Sequence, residues 1–403
     1  MNLNKKDELS RYNALKAKNL SIDATRGKPG FEQVDLANEM LGSLKTHQAK
    51  NGTDTRNYGG SDGLPEMKQL FASMLDIPTE NIIVGGNSSL NMMFDCVATL
   101  ILTGTWKAGQ KFLCPSPGYD RHFAITEYFG LKMLPITMTP SGPDMDAVEE
   151  LAKDPEVAGM WNVPVFSNPQ GYIYSDETIR RLAAMQAAHP AFKLIWDNAY
   201  TVHHISGQRP NPVNILPECA KHGHEDRPVI FTSFSKISIP GAGVVCMAAA
   251  GESLKLMHKR INTQTIGPDK VNQLRHVHFF KDLPGVLAHM EKHAAILRPK
   301  FEKACGILKT ELSGTSASFA TPEGGYFISI ETPPGCAKRV WQLCKEAGLL
   351  LTDAGATFPY GIDPGDTNLR FAPSFLSMEE LIQGIEILCA AIRLAAAELH
   401  NEA

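Results

Sequence analysis

The chain has 403 residues, of which 43% are hydrophobic and 20% charged, with a formal net charge of −4 at pH 7. That length exceeds what one hydrophobic core usually supports, so two domains or lobes are expected. The basic residues are scattered and form no patch or stripe, so the composition excludes a typical nucleic-acid-binding protein, and no nucleic acid is predicted as a partner.

The cysteines and the amino terminus indicate the compartment. Eight cysteines occur without a CxxC pair, and several fall inside apolar runs, which is typical of buried free thiols in a reducing environment. The amino terminus is polar and lacks the apolar core of a signal peptide, and no apolar run reaches membrane-spanning length. These features predict a cytoplasmic protein without a membrane partner.

Hydrophobic periodicity predicts the elements of the first 250 residues. Residues 1–20 are predicted to be a polar helix, residues 21–60 irregular, and an amphipathic helix follows with Pro65 in its first turn. Short apolar runs then alternate with helical segments at 89–102, 144–153 and 176–188. The seven runs begin at Ile82, Lys111, Lys132, Gly159, Lys193, Val229 and Val244. This alternation predicts an α/β fold with a mainly parallel seven-stranded sheet flanked by helices.

The last third of the chain has a different predicted pattern of helices and strands. A long helix is predicted over 268–312, with breaks near Pro284 and Pro299. Glycine-rich strands follow, and a final helix begins at a capping box formed by Ser377 and Glu380 and runs to about residue 399. This α+β pattern predicts a second, smaller domain. The boundaries are predicted at 46–290 for the large domain and at 1–45 with 291–403 for the small one.

Five predicted strands end in groups that could bind a ligand. In an open parallel sheet, ligands bind at the carboxyl ends of the strands. A small-residue turn begins at Gly85 and leads into a helix, which suits a phosphate. Tyr119, Asn168, Asp197 and Lys236 follow four of the later strands. Each of these groups, taken singly, has a commoner interpretation without a ligand. The Gly85 turn would be a plain turn, Tyr119 a packing residue, Asn168 a turn residue, Asp197 a helix N-cap and Lys236 a solvated lysine.

The conjunction of these groups predicts pyridoxal 5'-phosphate as the cofactor. Its phosphate needs backbone donors, its ring a stacking partner, its phenolic oxygen donors, its ring nitrogen a carboxylate and its aldehyde a lysine. Lys236 lies at the mouth of an apolar strand, where a neutral amine is a nucleophile. A metal site at Cys219-x-x-His222-x-His224 is a minor alternative without evident further ligands, so no metal is predicted.

With these motifs, the chain resembles the fold-type I pyridoxal-phosphate aminotransferases of class I/II from Gly27 to Arg370. The resemblance implies the PLP-transferase fold, amino acid and 2-oxo acid substrates, and a homodimer with shared active sites. It also implies ping-pong transamination, in which Lys236 is the Schiff-base lysine and proton carrier, and Asp197 keeps the ring nitrogen protonated.

The resemblance assigns further roles. The residues implied to bind the cofactor, besides Lys236 and Asp197, are Asn87, Ser88, Ser89, Tyr119, Asn168, Tyr200, Ser233, Ser235 and, lent by the neighbouring subunit, Tyr58. Tyr200 is also counted with the catalytic groups. The residues implied to bind the substrate are Gly27, Asn168 and Arg370. Thr265 resembles the second segment that crosses between subunits.

One position departs from the family pattern. An arginine usually stands eight residues after the lysine and binds the cofactor phosphate, but Val244 occupies that position here. The segments around Lys236 and Thr265 resemble a MocR-type branch that includes aspartate aminotransferases, although this chain lacks room for a DNA-binding domain before Gly27. Aspartate with 2-oxoglutarate is therefore the expected substrate pair.

Several alternatives stay open. Arg26, Lys28, Arg56 and Arg121 are the candidates for binding a distal carboxylate, although most such residues are only solvated. The reaction could instead be that of a 2-aminoadipate, aromatic or alanine aminotransferase, or of a β-eliminating lyase. A non-catalytic, effector-sensing module that retains the cofactor is the alternative from a different class.

Overall fold

A computed structural model describes residues 3–399. Its α-helices are α1 Lys5–Lys16, α2 Phe31–Asp35, α3 Pro65–Leu75, α4 Ser89–Leu102, α5 Asp120–Tyr128, α6 Met145–Leu151, α7 Asp176–Ala184, α8 Ile215–Lys221, α9 Gly251–Gln264, α10 Lys270–Phe280, α11 Leu283–Glu311, α12 Ala337–Glu346 and α13 Met378–Leu399. Its strands are β1 Ile22–Asp23, β2 Ile82–Val84, β3 Lys111–Ser116, β4 Lys132–Thr139, β5 Gly142–Pro143, β6 Val157–Asn162, β7 Lys193–Asp197, β8 Pro228–Ser233, β9 Val245–Ala248, β10 Ser318–Phe319, β11 Ile328–Glu331, β12 Leu349–Leu350 and β13 Asn368–Phe371.

The main sheet has the order β2-β9-β8-β7-β6-β3-β4-β5. Strands β8, β7, β6, β3 and β4 are parallel to their neighbours in that series, whereas β9 is antiparallel to both β8 and β2. The predicted α/β class and the seven predicted strands are confirmed. An eighth strand, β5, is an addition: it is two residues long and pairs with the edge of β4.

Both faces of this sheet are buried, and the strand sequences show why. Within β7, Leu194 and Trp196 belong to one hydrophobic cluster, whereas Ile195 between them belongs to the cluster on the opposite face. The same division separates Ile82 and Val84 from Ile83. Because successive side chains of a strand point to opposite faces, a strand covered by helices on both sides is a continuous apolar run. The polar residues are thereby confined to the strand ends.

The predicted helix over 268–312 is two helices. Lys281, with φ of 67°, and Asp282 separate α10 from α11, and Pro284 lies in the first turn of α11, where proline is tolerated. The predicted break at Pro299 is wrong, because α11 continues through that residue. The predicted capping box is present: the Ser377 amide donates to Glu380 Oε2 at 2.8 Å, and the Glu380 amide donates to Ser377 Oγ at 3.2 Å.

A second body of structure is built from both ends of the chain, outside the main sheet. It contains the antiparallel sheet β10-β11-β13, the parallel pair β1-β12, and the helices α12 and α13 with α1 packed on α13. A separate hydrophobic cluster unites these elements with part of α11. The division at residues 45/46 and 290/291 stays a prediction. Residues 1, 2 and 400–403, at the ends of the predicted small domain, lie outside the described residues. No helix within residues 3–399 is long and apolar enough to cross a membrane.

Gly63 provides a test of the junction between the first loop and the sheet. Its φ is +104°, and an added Cβ would lie 2.5 Å from Val84 Cβ, so Gly63→Ala combines backbone strain with overlap against a central residue. We expect a loss of about 3 kcal/mol in the free energy of unfolding, measured by urea denaturation. Gly52→Ala is the control, since Gly52 has φ of +84° but open space around it, and should lose only about 1 kcal/mol. Equal losses in the two variants would show that the overlap is relieved without cost.

Candidate active site

A cavity of about 440 Å³ lies where the carboxyl ends of the main-sheet strands face the second body. Predicted site residues line it: Gly27, Tyr119, Asn168, Asp197, Tyr200, Lys236 and Arg370. Of the four residues predicted as candidates for binding a distal carboxylate, Arg26, Lys28 and Arg121 also line the cavity. The fourth, Arg56, lies elsewhere and is paired with Asp54 at 2.7 Å.

Asp197 is the last residue of β7 and is only 4% exposed. Its Oδ2 accepts a hydrogen bond from His122 Nε2 at 3.0 Å, whereas its Oδ1 is buried without a partner among the described residues. Burial of an unpaired carboxylate oxygen costs free energy, so this atom fits a donor supplied by a ligand. The arrangement can hold a protonated ring nitrogen.

His122 is a site residue that the motif analysis missed. Its ring stacks on Trp161 with a centroid distance of 4.2 Å and an interplanar angle of 4°, and it lies edge-on to Tyr119. Trp161 is held in turn by Thr126, which accepts from its indole N–H at 2.7 Å. The signal was the spacing: Tyr119 precedes α5 and His122 lies within its first turn, so the two rings share one side of the helix start.

Asn168 and Arg370 meet beside Tyr200. Arg370 lies on β13, is 5% exposed, and donates to Asn168 Oδ1 at 3.2 Å. Its guanidinium also packs 4.7 Å from the Phe327 ring centroid. Burial, reinforced by the Asp197 charge, raises the pKa of Tyr200, so this phenol stays protonated and can donate a hydrogen bond. Arg370 can thus hold a carboxylate of a ligand, while Tyr200 beside it donates to a neighbouring oxygen of that ligand.

Lys236 projects into the cavity from the loop after β8. Its Nζ lies 5.0 Å from the Tyr200 ring centroid and makes no hydrogen bond or ion pair with any residue between 3 and 399. The residue is only partly buried, so its amine is accessible from the cavity. An amine without a hydrogen-bond or ion-pair partner is free to react with an aldehyde.

The loop that carries Lys236 is tied to the small-residue turn before α4. Ser235 Oγ donates to the Asn87 carbonyl at 2.7 Å. Gly243 makes this contact possible, since a Cβ there would lie 2.6 Å from both Ser235 Oγ and the Asn87 oxygen. Val244, where the family pattern has an arginine, is 2% exposed and packs in a core cluster.

The turn itself presents a helix amino terminus. Ser88 is the N-cap of α4, its side chain makes no capping bond, and Ser89 is the first helical residue. Free amides at a helix amino terminus bind phosphates well. Asn87 and Ser88 also line a second cavity of about 300 Å³ with Arg260, whose guanidinium is paired with Asp95 at 2.8 Å. Ser233, the last residue of β8, is buried and close to Ser235.

A buried polar network supports the Lys236 loop from behind. The Lys236 carbonyl accepts from Tyr326 Oη at 3.2 Å and lies 3.4 Å from His203 Nε2. Tyr326 Oη accepts from Gln33 Nε2, which also contacts His293 Nδ1 at 2.9 Å. The next carbonyl, that of Ile237, accepts from His289 Nε2 at 2.9 Å. The network joins the lysine to α2 and α11, and sequence motifs gave no indication of it.

Seven of the predicted residues do not line this cavity: Asn87, Ser88, Ser89, Ser233, Ser235, Tyr58 and Thr265. The structure also gives no support for a metal there. Tyr58 is 82% exposed, and Thr265 lines the second cavity. Among residues 3–399, no three histidine, cysteine or acidic side chains come together in a way that could hold a metal. In the alternative metal motif, Cys219 is buried and His224 Nδ1 contacts the Ala183 carbonyl.

Comparison with known proteins decides the family. Residues 3–402 match the family model described as aspartate amino-transferase. The chain belongs to this aminotransferase family. The aspartate aminotransferase of Corynebacterium glutamicum ATCC 13032 is 45% identical over 399 residues, covering 96% of this chain and 92% of that one.

Solved structures agree with this assignment. A crystal structure of an aspartate transaminase from the same Corynebacterium strain has 44% identity and a TM-score of 0.95, covering 98% of this chain and 96% of that chain. The α-aminoadipate aminotransferase of Thermus thermophilus, solved with N-(5'-phosphopyridoxyl)-L-leucine, has 22% identity and a TM-score of 0.78 over 97% of this chain and 98% of that one, and supports the fold alone. The protein is an aminotransferase with the fold-type I architecture.

The buried histidines predict how stability depends on pH. Burial lowers the pKa of His203 and His293 to about 3 and that of His276 and His289 to about 4, from an ordinary value of 6.5. Below pH 6.5 the unfolded chain binds protons that these histidines do not bind in the folded chain. Their contribution to stability is therefore full above pH 6.5 and is lost as the pH falls through about 4 for His276 and His289 and about 3 for His203 and His293. Each titrating histidine should cost up to about 1.4 kcal/mol per pH unit in that window.

The measurement is the free energy of unfolding between pH 6.5 and 4.5. His276→Gln should flatten its slope by about one proton, because one depressed group is removed. His222→Gln is the control, since His222 is exposed. If both variants retain the wild-type slope, the buried ring of His276 does not resist protonation.

Proposed function

We propose that this protein is a pyridoxal-phosphate-dependent aminotransferase that moves an amino group from aspartate to 2-oxoglutarate by a ping-pong mechanism. The observation that carries the proposal is a pair of unmatched groups in one cavity. Lys236 Nζ is an amine without an acidic partner, and Asp197 Oδ1 is a buried oxygen without a donor among residues 3–399. The aldehyde and the ring nitrogen of one cofactor would satisfy both.

The other residues fit the same cofactor. The α4 amino terminus with Asn87, Ser88 and Ser89 would hold the phosphate together with the Ser233 hydroxyl. The Ser235 hydroxyl would join them by turning from the Asn87 carbonyl to the phosphate. Tyr119 would cover the ring, and Asn168 and Tyr200 would donate to the phenolic oxygen. Val244 supplies no charge, so the phosphate relies on amides, hydroxyls and the helix end. When bound, pyridoxal phosphate supplies an aldehyde that captures amines and a ring that withdraws electrons from the substrate α-carbon.

Each side chain then has a defined task. Asp197, oriented by His122, keeps a proton on the ring nitrogen. Lys236, once its amine is released, removes and returns the proton at the substrate α-carbon. Arg370 holds the α-carboxylate, which aligns the α-carbon with Lys236. The Tyr326 and His203 contacts fix the backbone of the lysine loop, so the amine returns to the same place in each turnover.

The preference for a dicarboxylate substrate depends on a second cation. Arg26, Lys28 and Arg121 line the cavity at its open side, where they would meet a distal carboxylate. Arg121 is half-exposed and has Asp120 as its neighbour at 3.8 Å, and Lys28 lies 3.7 Å from the Phe375 ring centroid. The 45% identity to an aspartate aminotransferase also favours aspartate. A 2-aminoadipate, aromatic or alanine aminotransferase is the second candidate.

A spectroscopic titration tests both reaction and substrate. We expect the absorption band of the protein-bound cofactor to be converted on adding aspartate or glutamate and restored by 2-oxoglutarate, with little change on adding alanine or phenylalanine. Lys236→Ala should lose both the band and turnover, by at least about a thousandfold in kcat. A wild-type protein that binds the cofactor but converts no amino acid would instead be a sensor module.

We also propose that the active site is shared between two subunits of a homodimer. Tyr58 and Ile266 are 82% and 65% exposed, and their segments touch, since a Cβ on Gly267 would lie 2.8 Å from the Gly59 oxygen. Two large exposed side chains on adjacent loops favour a protein interface. In a dimer, Tyr58 would reach the phosphate bound by the partner.

Mixing inactive variants tests this arrangement. Lys236→Ala and Tyr58→Ala should each be dimeric by light scattering and poorly active alone. When they are dissociated and reassembled together at equal concentrations, half of the dimers carry one intact site, so about a quarter of wild-type activity should return. No recovery in verified mixed dimers would show that Tyr58 serves its own subunit or none.

A further inference from the structure

The arginine that would bind the substrate already holds a carboxylate of the protein. Asp120 Oδ1 accepts from Arg370 Nη1 at 3.0 Å, and this is an ion pair in which Arg370 is almost completely buried. A buried guanidinium needs a negative partner, and the α-carboxylate can supply one only when substrate is bound. Asp120 supplies that charge in the free protein.

The remaining donors of Arg370 leave little room for a second carboxylate. Nη1 is shared between Asp120 and Asn168, and Nη2 donates to Thr352 Oγ1 at 2.9 Å and to the Thr25 carbonyl at 3.5 Å. Only Nε is buried without a partner among the described residues. A carboxylate that binds two nitrogens of the guanidinium as a fork must therefore replace some of these contacts. Of the groups that Arg370 contacts, only Asp120 carries the same negative charge as the substrate carboxylate, so Asp120 is the group that the substrate would displace.

We propose that Asp120 is a resident counter-ion that occupies Arg370 until the substrate carboxylate displaces it, and that this competition sets the affinity of the enzyme for its amino acid and 2-oxo acid substrates. The proposal rests on the proposed function of Arg370. Asp120 is thus a positioning residue that acts through Arg370, and it weakens ground-state binding while keeping the empty site ordered.

The surroundings of Asp120 allow the exchange. Its side chain is 29% exposed, whereas that of Arg370 is 5% exposed, so Asp120 has more room to change its rotamer. It is the first residue of α5, where an acidic side chain favours the helix dipole in either position. Arg121 Nε lies 3.8 Å from its Oδ2, and the Arg121 side chain is 48% exposed. Asp120 can therefore turn from Arg370 to Arg121 without losing a cationic partner.

The test is Asp120→Asn in the holoenzyme, which removes the charge and keeps the shape. Two like charges within about 5 Å at a partly exposed site repel by about 1 kcal/mol or more, so KM for glutamate and for 2-oxoglutarate should fall about five- to tenfold. The kcat value should change less than KM, because the contact is lost before the chemical step. An unchanged or higher KM would overturn the proposal and show that Asp120 only holds Arg370 in place.

Two further measurements make the result specific. Glu127→Gln removes the same charge from an exposed position on the same helix and should leave KM within about twofold of wild type, as expected for a screened charge. Maleate, an unreactive dicarboxylate, should bind the Asp120→Asn holoenzyme about five- to tenfold more tightly by calorimetry. This binding does not depend on turnover, so a protein without transaminase activity would refute the proposed function and still test Asp120. Equal maleate affinity in wild type and Asp120→Asn would refute the counter-ion.

Discussion

A buried carboxylate at the end of a central strand organises this site. Asp197 is enclosed by apolar strands on both sides of β7, and only one of its oxygens has a partner among the described residues, His122. A charge in such a position is tolerated only when donors are fixed around it. The stack of His122 on Trp161 fixes one donor, and the cavity leaves space for the other to come from a ligand. The unpaired oxygen is therefore consistent with the ligand that we propose for the cavity.

The same constraint explains why the second body of structure is needed. The main sheet and the loop after β8 supply Asp197 and Lys236, whereas Arg370 lies on β13 and Gln33 on the short helix α2. Tyr326 links them, since its hydroxyl accepts from Gln33 and donates to the Lys236 carbonyl. Hydrogen bonds through Tyr326 thus connect the second body to the backbone of the lysine loop. Neutral histidines suit this position because His203 and His289 can donate to the Lys236 and Ile237 carbonyls without adding charge near the amine.

The sequence predicted the sheet well because its strands are buried on both faces and stand out as short apolar runs. The prediction failed where tertiary packing overrides the local preference of a residue. Pro299 was expected to break a helix, but α11 continues through it, since surrounding packing outweighs the loss of one backbone hydrogen bond. Four of the five groups predicted at strand ends, Tyr119, Asn168, Asp197 and Lys236, line one cavity, whereas the turn at Gly85 lines the second. His122 could be suspected only from its spacing to Tyr119 at the start of α5. The network around His293 was not predicted, because single histidines on helices carry no motif until folding shows what they face.

Val244 and Gly243 show how one segment can depart from its family and keep its site. An arginine at position 244 would have to leave a core in which the valine is almost fully buried. Gly243 instead lets the Lys236 loop approach the small-residue turn before α4 so closely that the Ser235 hydroxyl donates to the Asn87 carbonyl. Hydroxyls and amides brought close in this way replace a point charge with several fixed dipoles. A phosphate held by dipoles would depend on the alignment of two loops, so in the proposed site the close contact at Gly243 would take over the part that the arginine plays in the family pattern.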